Sequence, residues 1–429
     1  MSAKEGIIRA YSPPAKGSRV PRLSGGTAIL LCAAVFGAGP VAVRPVDPGE
    51  LPAGLQATAS WMAELNRETE SRIRDGEADH LIFYALQSNS FTALPPIEPS
   101  LSARVWHETG HILDDAAKRL EEFRVAPRKG SRHAYFGRMM VAGFDLNAEY
   151  ERAMRFLYEK EWASRTRDGA DRRAFIAGLY ETRGHSTDTS LEANYTVHVS
   201  LEALRKSMPG LKIRRALLVG PGLDWAPRVA LRNDVPPQSY QPYVLADSLL
   251  RLGLSDRTTL RIDAADINQR VLDHLAAFPT SARRLWLRYA PGDEPWNNFF
   301  DGLGKAIGTR GHEDGGMTLD VLRAASRLVH PLRLNVLTER VTPAAQYDLV
   351  VATNVLLYFE ERELGLALAN LANALAPGGY LLHNDVRAEV DALSRASGLP
   401  IVQARMVRLD AKREIYDAAV LHQRANRSR

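Results

Sequence analysis

From residue 212 onward, short apolar runs alternate with helix-like segments, and this alternation restricts the fold more than any other feature of the chain. The runs are RRALLVG, LRIDAADI, RRLWLRY, LRLNVLT, YDLVVATNVL, GGYLLHN, VQARMVR and YDAAVLH. Several, such as ALLV and DLVVA, are near-continuous apolar segments, as expected for a strand buried on both faces. Such strands separated by helices predict an α/β fold with a doubly wound, mostly parallel sheet. The expected bounds of this domain are 210–429.

The preceding stretch, 51–209, follows a different period. Trp61, Leu65, Ile73, Leu81, Ile82, Tyr84 and Ala85 recur near three- and four-residue spacing, which predicts a mainly α-helical N-terminal domain. The ALPPIEPS segment (93–100) breaks the pattern, because proline restricts itself and the residue before it. Helical stretches resume in DDAAKRLEEF and in AEYERAMRFLYEKEWASR (148–165), where Met154, Leu157, Tyr158 and Trp162 form an apolar stripe that reads as core. A last helix is expected over 191–207. At 429 residues the chain exceeds one ordinary core, consistent with two domains and extensions.

Residues 1–50 read as a leader and linker. The formal net charge is +5, and Lys4, Arg9, Lys16, Arg19 and Arg22 against Glu5 place most of it before residue 23. The remainder is nearly neutral, so the charge gives no strong nucleic-acid signal. The apolar run GGTAILLCAAVFGAG (25–39) follows that basic segment, in the pattern of a secretory signal or an N-terminal anchor. It is short for a membrane span, and membrane contact is expected only through this segment. The lone cysteine, Cys32, lies within it, so a cleaved product would contain neither disulfides nor a cysteine nucleophile. Residues 40–55, rich in proline and glycine, are expected to form a linker.

Three segments carry the chemistry. ALLVGPGLD (216–224) is a buried strand entering a turn in which Gly220 and Gly222 let the backbone approach a ligand. LRIDAADINQRVLDHL places Asp266 at a strand end before a helix, where a carboxylate accepts hydrogen bonds from ribose hydroxyls; Asp263 is its rival. The stretch 346–385 reads as strand, polar turn, amphipathic helix, Pro-Gly-Gly turn and strand. These segments resemble the first, second, fourth and fifth strands of the Rossmann-like class I S-adenosylmethionine (SAM)-dependent methyltransferases. NVLLYF (354–359) is similar to the corresponding stretch of chemotaxis-receptor methyltransferases.

The resemblance implies SAM as cofactor, an unidentified methyl acceptor as partner, and a set of site residues. Gly220, Pro221, Gly222 and Leu223 would face the methionine moiety. Asp266 and Ile267 would hold the ribose and adenine, and Thr338 and Glu339 would sit beside the adenine ring. Thr353 and Asn354 would lie by the transferred methyl, with Tyr358 near the acceptor. Asn354, Tyr358 and His383 are the implied catalytic residues; Asp385, His185 and Tyr195 are further candidate bases. The chain departs from the family where Leu218 replaces the usual acid two positions before the first glycine. Asp224 occupies the third glycine position and is expected either to replace that acid, contacting the cofactor's amino group, or to cap a turn. Two insertions, one containing PPQSYQPY and one over 291–316, are expected as loops near the acceptor. The segment 180–198 reads either as a lid or as a surface helix capped by Ser186 or Thr187, and capping is the preferred reading. A retained, catalytically silent binding fold is the alternative. An exported domain would lack cytosolic SAM, so the leader and the cofactor conflict unless the anchor faces inward, the start is misassigned or the domain binds some other ligand.

A competing motif is His107-Glu108-Thr109-Gly110-His111, which matches the H-E-x-x-H of zinc metallopeptidases. His107 and His111 would be the ligands. Gly110 weakens the helix that the motif requires, and no third ligand stands out except Glu149 or Glu151. The match is therefore read as coincidental.

Overall fold

In the computed structural model, strand β1 (Ala42–Pro45) precedes a long helix, α1 (Ala59–Gln87), whose N-terminus is capped by the Thr58 hydroxyl accepting from the Trp61 N–H. The structure describes residues 41–426 apart from 53–54, 56–57, 128–130, 141–142, 226–232, 282, 289–291, 314–315 and 411–414. The expected leader at 25–39 thus lies outside the described residues. No described helix is long and apolar enough to cross a membrane.

The second half of α1, from Gly76 to Leu86, is buried almost without interruption, because neighbouring elements surround it. Helices α2 (Pro99–Thr109), α3 (Asp114–Val125), α4 (Ser131–Gly137), α5 (Leu146–Glu161) and α6 (Gly169–Thr182) follow. Asp145 caps α5, and Pro99 begins α2 where a missing N–H costs nothing. Helix α7 (Leu191–Ser207) is capped by Ser190, not by Ser186 or Thr187.

The remaining chain builds the sheet. Its strands are β2 (Arg215–Val219), β3 (Arg261–Asp266), β7 (Val329–Arg333), β9 (Tyr347–Ala352), β10 (Leu375–His383), β11 (Ile401–Asp410) and β12 (Ile415–Gln423). They lie in the order β11-β12-β10-β9-β2-β3-β7. Strands β7, β3, β2, β9 and β10 are mutually parallel, whereas β12 runs antiparallel to both neighbours. Helices α8 (Gln241–Arg251), α9 (Gln269–Ala277), α12 (Glu361–Ala374) and α13 (Glu389–Ala396) make the connections. This is the Rossmann-like, mostly parallel α/β sheet expected from the apolar runs.

Five expectations are corrected. The RRLWLRY run is a strand, β4 (Arg284–Arg288), but it pairs outside the main sheet. It joins β5 (Gly308–Glu313) and β6 (Gly316–Val321) in an antiparallel sheet ordered β4-β6-β5. The stretch 291–316, expected as a loop, therefore contains α10 (Glu294–Gly302) and β5. Only two residues separate β5 from β6, and so short a connection imposes a hairpin despite the turn-like composition. A one-turn helix, α11 (Arg323–Ser326), leads into β7. LRLNVLT pairs only as far as Arg333; the part after it is a turn.

The remaining two concern the boundaries. Residues 42–50, assigned to a linker, join the fold: β1 pairs with β8 (Glu339–Thr342), and Glu50 meets both Arg44 and Arg340. No boundary at 209/210 interrupts the core either. The described chain from Ala42 forms one compact unit, and Tyr84, Phe136 and Tyr150 share a core with Leu218, Leu249 and Leu349. Trp225, fully buried just beyond the glycine turn, packs against His80 of α1 and Phe136 of α4. Each layer covers apolar surface that the other would expose.

Candidate functional site

In an open parallel sheet, chain order reverses at one place, and the loops there diverge to leave a crevice at the carboxyl ends of the strands. Here the reversal falls at β2, between β3 and β9. A cleft partly open to solvent occupies that position. It is lined by the strand-end residues Gly220, Asp266, Leu334 and Thr353 and roofed by residues 185–189.

The glycine turn requires its glycines for contacts within the protein. Gly220 has φ +67°, and a Cβ there would lie 2.6 Å from Val355 Cγ2. Gly222 has φ +65°, and its Cβ would lie 2.4 Å from the Thr187 carbonyl oxygen. Thr187 belongs to a strap laid along the turn. The Leu223 N–H donates to the Thr187 carbonyl (2.7 Å), the Thr189 N–H donates to the Leu223 carbonyl (3.0 Å), and Asp188 bridges Leu223 in parallel. Residues 185–189 therefore line the cleft, where the capping reading places a surface helix end.

Asp266 ends β3 and is buried on the cleft wall. Its Oδ1 accepts from the Asn268 N–H at 2.8 Å, and its Oδ2 accepts more weakly from the Gly222 N–H at 3.4 Å. Burial pushes its carboxyl up to about 6, against the opposing effect of these N–H groups. The rival Asp263 is occupied elsewhere, paired with Arg261 (2.7 Å) and accepting from the Tyr347 hydroxyl (3.0 Å). Ile267, Asn335, Val336 and Leu337 complete the wall beside Asp266.

The cleft also gathers Thr353, Asn354, Tyr358 and His185. Thr353 Oγ1 accepts from Gln241 Nε2 at 3.1 Å. Asn354 sits at φ +58°, a conformation asparagine tolerates better than most residues, with its side chain held by Asn384. Ser186 Oγ meets His80 Nε2 at 2.7 Å. The His185 ring packs edge-on against Tyr358 and Phe359, and burial first, then the nearby Arg72 charge, lowers its pKa to about 3. His185 is thus neutral at physiological pH.

Several sequence-derived candidates fall elsewhere. Pro221 and Leu223 are buried beside the turn but do not line the cleft. Asp224 is a structural ion-pair partner: it meets the wholly buried Arg132 at 2.9 Å and accepts from the Gln238 N–H. Burial pushes its carboxyl up to about 6, with Arg132 pulling the other way. Thr338 and Glu339 turn away, Thr338 donating to Asn66 Oδ1 and Glu339 accepting from the Asn335 N–H. The wall there comes from Leu334–Leu337, because the strand stops at Arg333. Asp385 is paired with Arg387, and Tyr195 packs on Trp296 and Phe299; neither lines the cleft.

His383 is likewise corrected. It lies in the core, with Nδ1 accepting from the Asp385 N–H and Nε2 2.7 Å from His422 Nε2. His422 Nδ1 faces the Leu399 carbonyl at 2.8 Å and must donate to it. The ring protons therefore sit on His383 Nε2 and His422 Nδ1, with both rings neutral. Burial holds His383 well below its ordinary range and lowers His422 as well. The pair contributes stability above the unfolded-state value of about 6.5, lost as pH falls toward the folded-state values. Denaturant unfolding at several pH values between 7.5 and 5 will show a shallower loss for His383→Gln than for the wild type. The difference will reach up to about 1.4 kcal/mol per pH unit. Identical slopes would exclude the pair as an acid-sensitive element.

The H-E-x-x-H match lacks the helix its chemistry requires. Helix α2 ends at Thr109, Gly110 adopts φ +70°, and His111 lies beyond the helix. His107 stacks on Tyr158 at 3.5 Å between ring centroids, and Glu108 pairs with Arg104. No cluster of three metal-binding side chains occurs among the described residues.

Sequence patterns did not single out Thr69, Gln241, Asn335 or Val336, which reach the cleft from separate parts of the chain. The PPQSYQPY insertion, which contains Gln241, was the one available signal.

No family model and no curated protein sequence matches this chain. Among solved structures, it is similar to the N-methyltransferase NodS from Bradyrhizobium japonicum WM9, at 14% identity over 54% of this chain and 95% of that one, with a TM-score of 0.28. It is also similar to magnesium protoporphyrin IX methyltransferase from Synechocystis PCC 6803 with bound SAM, at 11% identity over 67% of this chain and 100% of that one, TM-score 0.30. A putative sarcosine dimethylglycine methyltransferase from Galdieria sulphuraria matches at 9% identity over 53% and 85% of the two chains, TM-score 0.28. Similarities this low carry no function to the chain, and its fold assignment rests on the strand order.

Proposed function

We propose that this chain binds SAM in the switch-point cleft and transfers its methyl group to an acceptor. One observation carries the reading: Asp266 presents a buried carboxylate at the end of β3, while no lysine or arginine lines the cleft among the described residues. A nucleotide phosphate would meet no lysine or arginine among the described residues that line the cleft, whereas a sulfonium compound brings its own positive charge. The residues suit such a ligand. A ribose diol donates to a carboxylate in the position of Asp266, and Ile267, Val336 and Leu337 offer apolar surface to a base.

SAM, when bound, supplies a methyl group already activated on sulfur. The protein's task is then alignment and exclusion of water. Thr353 and Asn354 border the cleft beyond β9, and Tyr358 lines it beside the His185 ring. His185, neutral beside Tyr358, is suited to orient an acceptor through its ring nitrogens. The likeness to chemotaxis-receptor methyltransferases is confined to residues 354–359, which border this acceptor side.

Calorimetric titration with SAM, its demethylated product S-adenosylhomocysteine, NAD and ATP tests the reading. SAM and S-adenosylhomocysteine are expected to bind, NAD and ATP are not, and Asp266→Ala is expected to lower SAM affinity about 10- to 100-fold. Binding of NAD or ATP in preference to SAM would overturn it.

A further inference from the structure

An α-amino acid end group is a zwitterion, and a site for it needs a carboxylate for the ammonium and a donor for the carboxylate. Strand β2 offers no acid at its end: Leu218 is fully buried and sits in register with Ala264 and Val351. Asp224 is committed to Arg132 and the Gln238 N–H. Among the described residues, the only acidic residues lining the cleft are Asp266 and Asp188. Asp266 ends β3, whereas Asp188 is bridged to the glycine turn itself, at Leu223.

We infer that the strap residues Thr187 and Asp188 form a subsite for the amino-acid end of the cofactor, Asp188 accepting from its ammonium and Thr187 donating to its carboxylate. This rests on the SAM reading above. The Trp225 N–H donates to Asp188 Oδ1 at 3.0 Å, which orients the carboxylate. A carboxylate has about four acceptor sites and can hold several partners at once, a ligand ammonium among them. A separate observation concerns Thr187, which is 7% exposed and lines the cleft. Its buried Oγ1 has no hydrogen-bond partner among the described residues. Such a hydroxyl is costly unless something completes it. Consecutive positions on one strap therefore provide the acceptor and the donor that a zwitterion needs. The acid comes from the segment before α7, outside the strand that carries the glycine turn.

Calorimetry on the full chain with SAM, S-adenosylhomocysteine and 5′-methylthioadenosine, which lacks the amino-acid end, tests this. Asp188→Asn is expected to weaken SAM and S-adenosylhomocysteine at least tenfold while 5′-methylthioadenosine binds as to the wild type. Asp266→Asn is expected to weaken all three. Thr187→Val, which removes the hydroxyl at constant shape, is expected to weaken SAM but not 5′-methylthioadenosine, and serves if Asp188→Asn fails to fold. Unchanged SAM binding in both strap variants, or equal loss of all three ligands, would overturn the subsite and leave the SAM reading intact. A wild-type chain that binds none of the three would overturn both.

Discussion

Asp266→Asn will make the ligand-free protein harder to unfold at pH 7.5 while it weakens cofactor binding. The carboxyl's ordinary value is 3.8, and burial raises it to about 6 in the folded protein. A group raised in this way contributes stability below its unfolded value, and that contribution is lost as pH rises through about 6. At pH 7.5 the folded state therefore carries a charge it would rather not hold. The gap corresponds to roughly 3 kcal/mol. An amide retains one acceptor, best spent on the 2.8 Å Asn268 N–H, and turns its NH₂ toward the weaker Gly222 contact. That loss reduces the expected gain to about 1–2 kcal/mol. Thermal melts at pH 7.5 and pH 4 will show the gain at the higher pH and little at the lower. In the wild type, SAM affinity will fall below about pH 6, because a protonated carboxyl accepts less well from two ribose hydroxyls. A variant equally destabilised at both pH values would show that the carboxylate is structural and not held for a ligand.

Gly76→Ala will damage both stability and binding, although the residue does not itself line the cleft. A Cβ on Gly76 would lie 2.0 Å from the His185 carbonyl oxygen, and one on Gly184 would lie 2.3 Å from the Gly76 nitrogen. These are backbone atoms, so no rotamer change relieves the clash. The His185 N–H also donates to the Arg72 carbonyl at 2.7 Å, so the strap is hung directly on α1. Overpacking of this kind costs about 1–3 kcal/mol or more. The strap must move away from the glycine turn to make room for the alanine side chain, and SAM affinity is expected to fall at least tenfold. Gly178→Ala is the contrasting case. A Cβ added to that helical glycine of α6 would meet nothing within 4 Å, and alanine there is expected to add about 0.5–1 kcal/mol. Calorimetric titration and denaturant unfolding of the two variants check both halves; an intact SAM affinity in Gly76→Ala would remove the strap from the site.

The parallel strands were legible because burial on both faces leaves a local trace. ALLV and the LVVA of DLVVA are apolar at every position, and they became β2 and β9 at the centre of the sheet. Asp266 was legible for a related reason: its charge interrupts an apolar strand shortly before a helix. The hairpin of β5 and β6 was not, since Gly-Thr-Arg-Gly-His-Glu has the composition of a loop and gains its partner only through a two-residue connection. Glu339 and His383 misled because each follows an apolar run, and only the end of pairing at Arg333 and the contact with His422 place them outside the cleft.

The chain's own order of residues therefore determined the sheet and the carboxylate at the end of β3, both of which follow from local patterns of burial and charge. Tertiary structure alone decided what roofs the cleft. Asp188 lies 35 residues before Leu223 in the chain, and the two meet because Gly76 and Gly222 let backbones approach where any side chain would hold them apart. A glycine records in sequence that space is needed, but not which segment will fill it.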